Sequence, residues 1–533
     1  MAASDPITRL RAAIADAARS LDAASSVEPN LERPPRPDFG DYSTNAAMLL
    51  APALGEQPRV VAERLGAVLA ETLGDDIERV DVAGPGFLNL FMSDTWFRRA
   101  LSHMVAAGEG WGAGRADPVE RVLVEFVSAN PTGPVTAASG RHAAYGDSLA
   151  RILDFAGDAP LREYYVNDHG SQVLRFGESI KARARGEEPP EDGYKGDYVT
   201  ELAQKIPGAA DADPAELARA GVELMVLDIG KTLARFRVRM DTFFPERSLF
   251  DSGAVDTALA KIESGGHSYT SEGATWMRTT TSGDDKDRVL QRSNGEVTYF
   301  AGDIAYHADK LKRGFDRVIN VYGPDHHGYV ARIKAAWEAL GGDPDHFEVL
   351  IMQLVNLTES GQQKRMSKRQ GDFVTLDDLI DDIGVDAARF FMLQRSHDTT
   401  LDLDLTLARE QSQDNPVYYV QYAHARIASI LRRAEGPPDP DAAPTEELHP
   451  SARVLVKKLL EFPAEIDSAV ELRAPHRMTT YARELSQDFS AFYRDQKVVG
   501  TPEEPFRLAL SMQTQRVIAR SLDLLGVSAP EEM

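Results

Sequence analysis

The sequence predicts an α/β protein in three parts. An α+β amino-terminal domain covers residues 1–110, and a Rossmann-like parallel-sheet domain covers 118–405, with an insertion at about 170–290. An all-α carboxyl-terminal domain covers 406–533. Three observations predict this. From Arg121 onward, strand-like apolar runs alternate with helical periodicity, the pattern of parallel strands joined by crossover helices. The Gly-rich stretch "AAGEGWGAGRADP" at 106–118 reads as a linker before that alternation, and beyond about Leu405 only helical periodicity remains. A chain of 533 residues is also too long for one compact core.

In chain order, residues 6–24 carry apolar positions at helical spacing. "RPPRPDFGDYSTNAAMLLAPAL" gives a Pro-rich loop, a turn at Asp38–Asp41 and a helix from about Thr44; "VVAERLGAVLAETL" is a third helix, and "RVDVAGPGFLNLFM" is strand, turn, strand. "RVLVEFVSA" is a strand, 140–155 a helix and "LREYYVND" a second strand. The polar, more helical segment 170–290, with the loops "RARGEEPPEDGYKGD" and "TSGDDKD", reads as the insertion. Alternation resumes in "EVTYFAGDIAYHADKL", "DRVINVYGPDHHGYVARIKAAWEAL" and the strand "FEVLIMQLVNL". The terminal helices are interrupted at 435–447 by "EGPPDPDAAPTEE", which has the composition of a disordered linker.

Fifty-nine Lys and Arg against 83 Asp and Glu give a net charge of -24, so any nucleic-acid site must be a local basic patch. The absence of cysteine excludes disulfides, thiolate zinc sites and a cysteine nucleophile. The start lacks an apolar signal core and no run of about 18 apolar residues follows, so a cytoplasmic protein without a membrane span is expected.

Two loops carry the chemistry. "SANPTGPVTAASGR" at 128–141 joins the apolar run Val122–Val127 to a helical stretch, the position where open parallel sheets bind ligands. Its small residues allow close approach and the helix amino end favours phosphate, although a purely structural turn fits equally well. "KRMSKRQG" at 364–371 gathers Lys364, Arg365, Ser367, Lys368 and Arg369 beside a glycine. Such a loop can close over a triphosphate and neutralise charge that grows as pyrophosphate leaves. In "GPDHHGYVARI" the histidines are adjacent and no third ligand lies at helical spacing, so no metal site is expected.

Together these stretches resemble the class I aminoacyl-tRNA synthetases. "TAAS" (Thr136, Ala137, Ala138, Ser139) stands where the HIGH motif belongs, and "RMSK" (Arg365, Met366, Ser367, Lys368) where KMSKS belongs. Within that class the resemblance is to arginyl-tRNA synthetase and covers almost the whole chain. It is carried by "FGDYSTNAAM", "VEFVSANPTGP", "REYYVNDHGSQ", "TYFAGDIAYHADK", "GPDHHGY", "RMSKRQGDFVTLDDLI", "DNPVYYVQYAHARI" and "LGVSAPEEM". The resemblance implies an arginine–tRNA ligase that forms arginyl-adenylate from L-arginine and ATP, with Mg2+ carried by ATP, and transfers arginine to the 3' end of tRNA(Arg). It also implies a monomer whose activation step requires bound tRNA.

A guanidinium needs planar carboxylate acceptors. By resemblance Glu125, Ser128, Asn130, Tyr299 and Asp303 hold arginine: Asp303 meets the guanidinium, Glu125 is a second carboxylate, Tyr299 a phenolic wall, and Asn130 holds the α-amino or carboxylate end. Thr136, Ser139, Ser367 and Lys368 are the catalytic positions. Pro131, Gly133, Gly140, Arg141, Gly323, Asp325, His326 (or His327), Arg365 and Met366 fall near ATP. For tRNA, Phe39, Tyr42 and Asn45 lie in the stretch resembling the module that meets the D-loop corner, although packing and capping would explain them equally. Tyr418, Tyr422, His424 and Arg426 lie in the anticodon-binding segment, where aromatics next to cations suit an unpaired loop and helix core is the competing reading.

The chain departs from the family at one place. Family members carry two histidines in HIGH; here Thr136 and Ser139 replace both, Ala138 replaces the glycine, and Arg365 replaces the first lysine of the second motif. Hydroxyls donate to phosphate but carry no positive charge. Arg141, His142, Lys368 and the helix amino terminus are the candidates to supply it. Two other readings stand beside the ligase: a nucleotidyltransferase that needs no tRNA, and a catalytically impaired synthetase-like tRNA-binding protein.

Overall fold

The computed structural model describes residues 5–22, 28–363 and 374–533. The amino-terminal part is a four-stranded antiparallel sheet, in the order 31–32, 42–44, 87–92, 77–83, packed under the helices Pro6–Leu21, Ala46–Leu54 and Pro58–Leu73. The Gly-rich stretch that reads as a linker is anchored rather than free. Trp111 is buried there and its indole N–H donates to the Leu459 carbonyl at 3.0 Å, fixing the stretch to the carboxyl-terminal helix Pro450–Glu471.

The central sheet comprises β1 (Arg121–Glu125), β2 (Ala159–Val166), β3 (Thr242–Pro245), β4 (Arg317–Tyr322) and β5 (Phe347–Ile351), all parallel in the order β5-β4-β1-β2-β3. The order reverses between β1 and β4, and the crevice above such a reversal is where these sheets bind ligands. Helix α1 (Ala137–Ala156) follows β1, α2 (Tyr299–Lys312) precedes β4, and α3 (Leu376–Met392) packs on α1. Gly146 lets α1 approach the sheet, because a Cβ there would lie 2.1 Å from the Phe126 ring.

Two sequence expectations need correction. The segment 170–290 is not one continuous insertion: β3 lies inside it and pairs with β2 from Glu163 and Thr242 onward. A strand of four residues leaves too short a pattern to read. The stretch "FEVLIMQLVNL" is likewise two strands. After β5 the chain leaves the central sheet, and Val355–Glu359 pairs in parallel with Leu401–Asp404 in a second sheet.

Helices Pro416–Arg433, Pro450–Glu471, His476–Asp495 and Glu504–Leu524 form the carboxyl-terminal part. The segment 435–447, disordered by composition, is pinned at Thr445, whose hydroxyl donates to Glu503 at 2.7 Å while Glu503 also accepts from Arg98 at 2.9 Å. The chain terminus is tied back to the catalytic part by buried Arg389, which donates to the Leu525 and Phe236 carbonyls and to Asp147 Oδ2, the last at 2.7 Å. Among the described residues no helix is long and apolar enough to cross a membrane.

Candidate active site

The phosphate-loop candidate leaves β1 through Val127 and Ser128, both in the left-handed backbone region (φ 69° and 39°), and ends in the amino terminus of α1. Thr136 is the N-cap of α1. Its hydroxyl oxygen accepts from the Ser139 N–H at 3.2 Å and lies 3.1 Å from the Ser139 hydroxyl. Thr136 thus caps the helix by receiving the Ser139 N–H, and the two hydroxyls, hydrogen-bonded to each other, are the side-chain donors these positions can offer a phosphate. The loop is braced from behind. Tyr198 donates to the Thr132 carbonyl at 2.8 Å, its hydroxyl would meet a Cβ on Gly133 at 3.2 Å, and Pro131 is buried. Gly140 serves packing, since a Cβ there would lie 2.7 Å from Leu376 on α3.

Neither neighbouring cation reaches the loop as a free charge. Arg141 is buried and donates to the carbonyls of Gln353 (2.9 Å) and Ser396 (2.8 Å), joining α1 to the start of the second sheet. Its expected place at the ATP phosphates therefore gives way to a structural latch. Burial pushes the His142 imidazole down to about 4, with Arg141 adding repulsion, so it is neutral at physiological pH. Lys364, Arg365, Met366, Ser367, Lys368 and Arg369 lie outside the described residues. Immediately after them the chain is stitched to the first loop: Ala137 N–H donates to the Val374 carbonyl at 3.0 Å and Leu376 N–H to the Val135 carbonyl at 2.8 Å.

An acidic pocket faces this loop from the other strands. Asp303, near the start of α2, accepts a hydrogen bond from the Tyr329 hydroxyl, yet burial, reinforced by the charge of Glu125, pushes its carboxyl up to about 6. Glu246, just beyond β3, is pushed up to about 8 by burial and by the charges of Asp303 and Asp168. Gly302 brings the two together, because the Glu246 Oε1 lies 3.2 Å from where a Cβ on residue 302 would stand. Among the described residues neither Asp303 nor Glu246 has a cationic partner. Glu246 is buried and Asp303 half-buried, and both carboxyls are raised, that of Glu246 partly by the charge of Asp303; such a pair suits a cationic group.

Glu125 differs from both. It is 2 % exposed and its Oε2 accepts from Lys310 Nζ at 2.5 Å, so its charge is already matched within the fold. Glu246 is the second unmatched carboxylate, and sequence reasoning missed it because the strand that delivers it was hidden in the insertion. Its one signal was an acid directly after the apolar "TFFP". Ser128 donates to Glu125 Oε1 at 3.1 Å, and Asn130 donates to Gln172 at 3.0 Å at the pocket's edge. Tyr299 is 62 % exposed with its hydroxyl 3.3 Å from Ser171, which makes it a rim residue.

The segment after β4 closes the crevice. Gly323 turns the chain so that Asp325 Oδ1 would lie 2.7 Å from a Cβ there, with His142 Cε1 at 3.9 Å. Asp325, His326 and His327 are exposed, and His326 Nδ1 lies 3.2 Å from Asp325 Oδ1. Among the described residues no group of three His, Asp or Glu side chains is arranged to hold a metal ion.

The Glu246 carboxyl gives a stability prediction. Its folded value of about 8 exceeds its ordinary 4.5, so the folded state binds the proton more tightly and loses stability as pH rises from about 4.5 through about 8. Glu246→Gln is therefore expected to melt several degrees above the parent at pH 8.5 and level with it at pH 5, by differential scanning fluorimetry without arginine.

The tRNA candidates divide by exposure. Phe39 is exposed, with the Arg36 guanidinium 4.5 Å from its ring centroid. Tyr42 is core, edge-on to Trp96 at 5.7 Å, and so serves packing, while the half-exposed Asn45 side chain accepts from Asn30 N–H at 3.2 Å. His424 is also buried, its Nδ1 2.8 Å from the Pro530 carbonyl. Tyr418, Tyr422 and Arg426, four residues apart on one helix, do form a half-exposed ladder. The two rings stack at 6.2 Å, Arg426 lies 4.6 Å from the Tyr422 centroid and 5.4 Å from that of Tyr493.

Known proteins match these parts. The arginyl tRNA synthetase N terminal domain matches residues 8–92, the catalytic domain of class I (R) tRNA synthetases matches 210–419, and the DALR anticodon binding domain matches 420–533. The catalytic match begins beyond the altered first loop. A putative arginyl-tRNA synthetase of Campylobacter jejuni is 33 % identical with a TM-score of 0.77, over 83 % of this chain and 100 % of that one. The Thermus thermophilus arginyl-tRNA synthetase is 25 % identical with a TM-score of 0.75, over 99 % of this chain and 100 % of that one. A Mycobacterium tuberculosis methionyl-tRNA synthetase in complex with methionyl-adenylate, 11 % identical with a TM-score of 0.57 over 76 % of this chain and 92 % of that one, shares the fold alone. With its crevice at the sheet reversal, its unmatched acidic pocket and a 33 % identical relative covered along its whole length, the chain belongs to the arginyl-tRNA synthetases, class I arginine–tRNA ligases.

Proposed function

We propose that Asp303 and Glu246 together receive the arginine guanidinium, that the Thr136–Ser139 turn and the basic loop receive the phosphates of ATP, and that Asn130 holds the α-amino or carboxylate end between them. The single observation carrying this reading is the adjacent pair of carboxylates, Asp303 half-buried and Glu246 buried, raised to about 6 and about 8 with no cationic partner among the described residues. The arginine carboxylate attacks the α-phosphate in line, giving arginyl-adenylate and pyrophosphate; a ribose hydroxyl at the tRNA 3' end then attacks the activated carbonyl and AMP leaves. The protein contributes positioning and charge, not covalent chemistry. Mg2+ enters with ATP and is held by phosphate and water. The enzyme works on tRNA(Arg) as a cytoplasmic monomer.

Charging of tRNA with arginine against citrulline tests the pocket. Citrulline has nearly the same shape but no charge and one donor group fewer, so it leaves a buried carboxylate unmatched. A preference for arginine of roughly a thousandfold or more in kcat/KM is expected. Discrimination below about tenfold would sink the assignment. The Tyr418–Tyr422–Arg426 ladder is the proposed stacking surface for the anticodon loop. Tyr422→Ala should raise the KM for tRNA by roughly tenfold, the worth of one stacked base, with the KM for arginine unchanged.

A further inference from the structure

Beneath the pocket lies a charged network that the proposed reaction does not use. Lys310, on α2, is 0 % exposed; its Nζ donates to Glu125 Oε2 at 2.5 Å and to Asn320 Oδ1 at 2.8 Å, and sits 4.2 Å from the Tyr306 ring centroid. A buried ammonium and a buried carboxylate are each costly alone and tolerable together when their remaining sites are hydrogen-bonded. This pair spans the sheet reversal: Glu125 ends β1, Asn320 is its register partner on β4, and Lys310 comes from the helix that carries Asp303.

The other oxygen of Glu125 reaches the phosphate loop. Oε1 accepts from the Ser128 hydroxyl at 3.1 Å, and that hydroxyl's oxygen accepts from the Tyr165 N–H of β2 at 3.1 Å. Ser128 and Val127 both hold a left-handed backbone, which a β-branched valine adopts only under constraint from its surroundings. The turn they make aims Asn130 and the loop that follows. We propose that Lys310 is a positioning residue: by pairing with Glu125 and aligning it as the acceptor for Ser128, it fixes the Val127–Ser128 turn and so orients the phosphate loop for adenylate formation. This rests on the proposed use of the crevice for arginine activation.

The groups facing the pair leave a clear pH window. Burial pushes the phenols of Tyr306, Tyr322 and Tyr165 far up and the imidazole of His307 far down. Glu163 is occupied by Arg313, at 2.6 and 2.8 Å, and by the Tyr306 hydroxyl. The carboxyl of Asp303, pushed up to about 6, is kept ionised by guanidinium when arginine saturates.

The test measures kcat of arginine-dependent pyrophosphate exchange from pH 6 to 9, with tRNA and saturating arginine and ATP, in the native enzyme, Lys310→Met and Lys310→Met/Glu125→Gln. Lys310→Met is expected to lose at least tenfold in kcat at pH 7 while its KM for arginine moves less than threefold. Its kcat should rise with pH as the stranded carboxylate ionises. The double variant should lose that rise and recover at least threefold. A folded Lys310→Met with native kcat, or a lowered kcat that neither varies with pH nor improves in the double variant, overturns the proposal. Should Lys310→Met fail to fold, Ser128→Ala decides: lowered kcat at an unchanged melting temperature supports the relay, and native kcat removes it. Hydrogen–deuterium exchange across 127–135, read without substrates, separates this inference from the reaction itself. Exchange at least tenfold faster in Lys310→Met, or in Ser128→Ala, is expected even if the native protein activates no amino acid, and unchanged exchange overturns the positioning role.

Discussion

Asp303→Asn is expected to lower kcat/KM for arginine by roughly a few hundredfold to several thousandfold, the range for breaking a buried charge pair. The guanidinium keeps its charge throughout the working pH range, so it binds only the carboxylate form of the pocket. In the free protein the Glu246 carboxyl stands at about 8 and that of Asp303 at about 6, so at pH 7 the first is largely protonated and the second largely ionised. Arginine binding must then expel close to one proton, and kcat/KM for arginine should rise between pH 6 and pH 9. Calorimetry of arginine binding in two buffers of different ionisation enthalpy reads that proton directly. In Asp303→Asn the like charge beside Glu246 is gone, so its carboxyl falls and the rise in kcat/KM moves to lower pH. A variant with native kcat/KM would remove Asp303 from the pocket.

Lys368→Ala should abolish pyrophosphate exchange to roughly a thousandth of native or less, beyond the hundredfold usual for one transition-state donor. The excess follows from the first loop. Thr136 caps α1 through the Ser139 N–H, Arg141 is committed to two carbonyls, and the His142 imidazole, pushed down to about 4, is neutral. On the proposed assignment, growing negative charge on the leaving phosphates would meet the helix terminus and the cations of the basic loop, with no histidine to share the load. Thr136→Val tests the other half. It removes an N-cap, costing about 1 kcal/mol of stability, and should slow exchange only about tenfold. Equal losses in the two variants would show that the hydroxyls and the lysine act as one unit.

What the sequence made legible follows from pattern length. The runs of β1, β2 and β4 and the long helix α1 repeat their signal over enough residues to stand out, and the small residues of the 128–141 loop mark the bend between them. β3 spans four residues and gave no such signal, so Glu246 went unseen with it. The roles of Glu125 and Arg141 turn on tertiary partners 185 and 212 positions away, Lys310 and Gln353, which no local pattern carries. Tyr42 and His424 sit in stretches that match the family well, but a matched stretch does not say which face of a residue's element is buried. Tyr418, Tyr422 and Arg426 were readable because a four-residue spacing fixes one helix face whatever surrounds it.

The most direct measurement is arginine-dependent exchange of pyrophosphate into ATP by the native protein, with and without tRNA(Arg). Exchange that appears only when tRNA is present is the predicted result: a competent arginine–tRNA ligase working through hydroxyls at Thr136 and Ser139. No exchange under either condition, from folded protein that still binds tRNA, would contradict it and mark the altered loop as a lost active site.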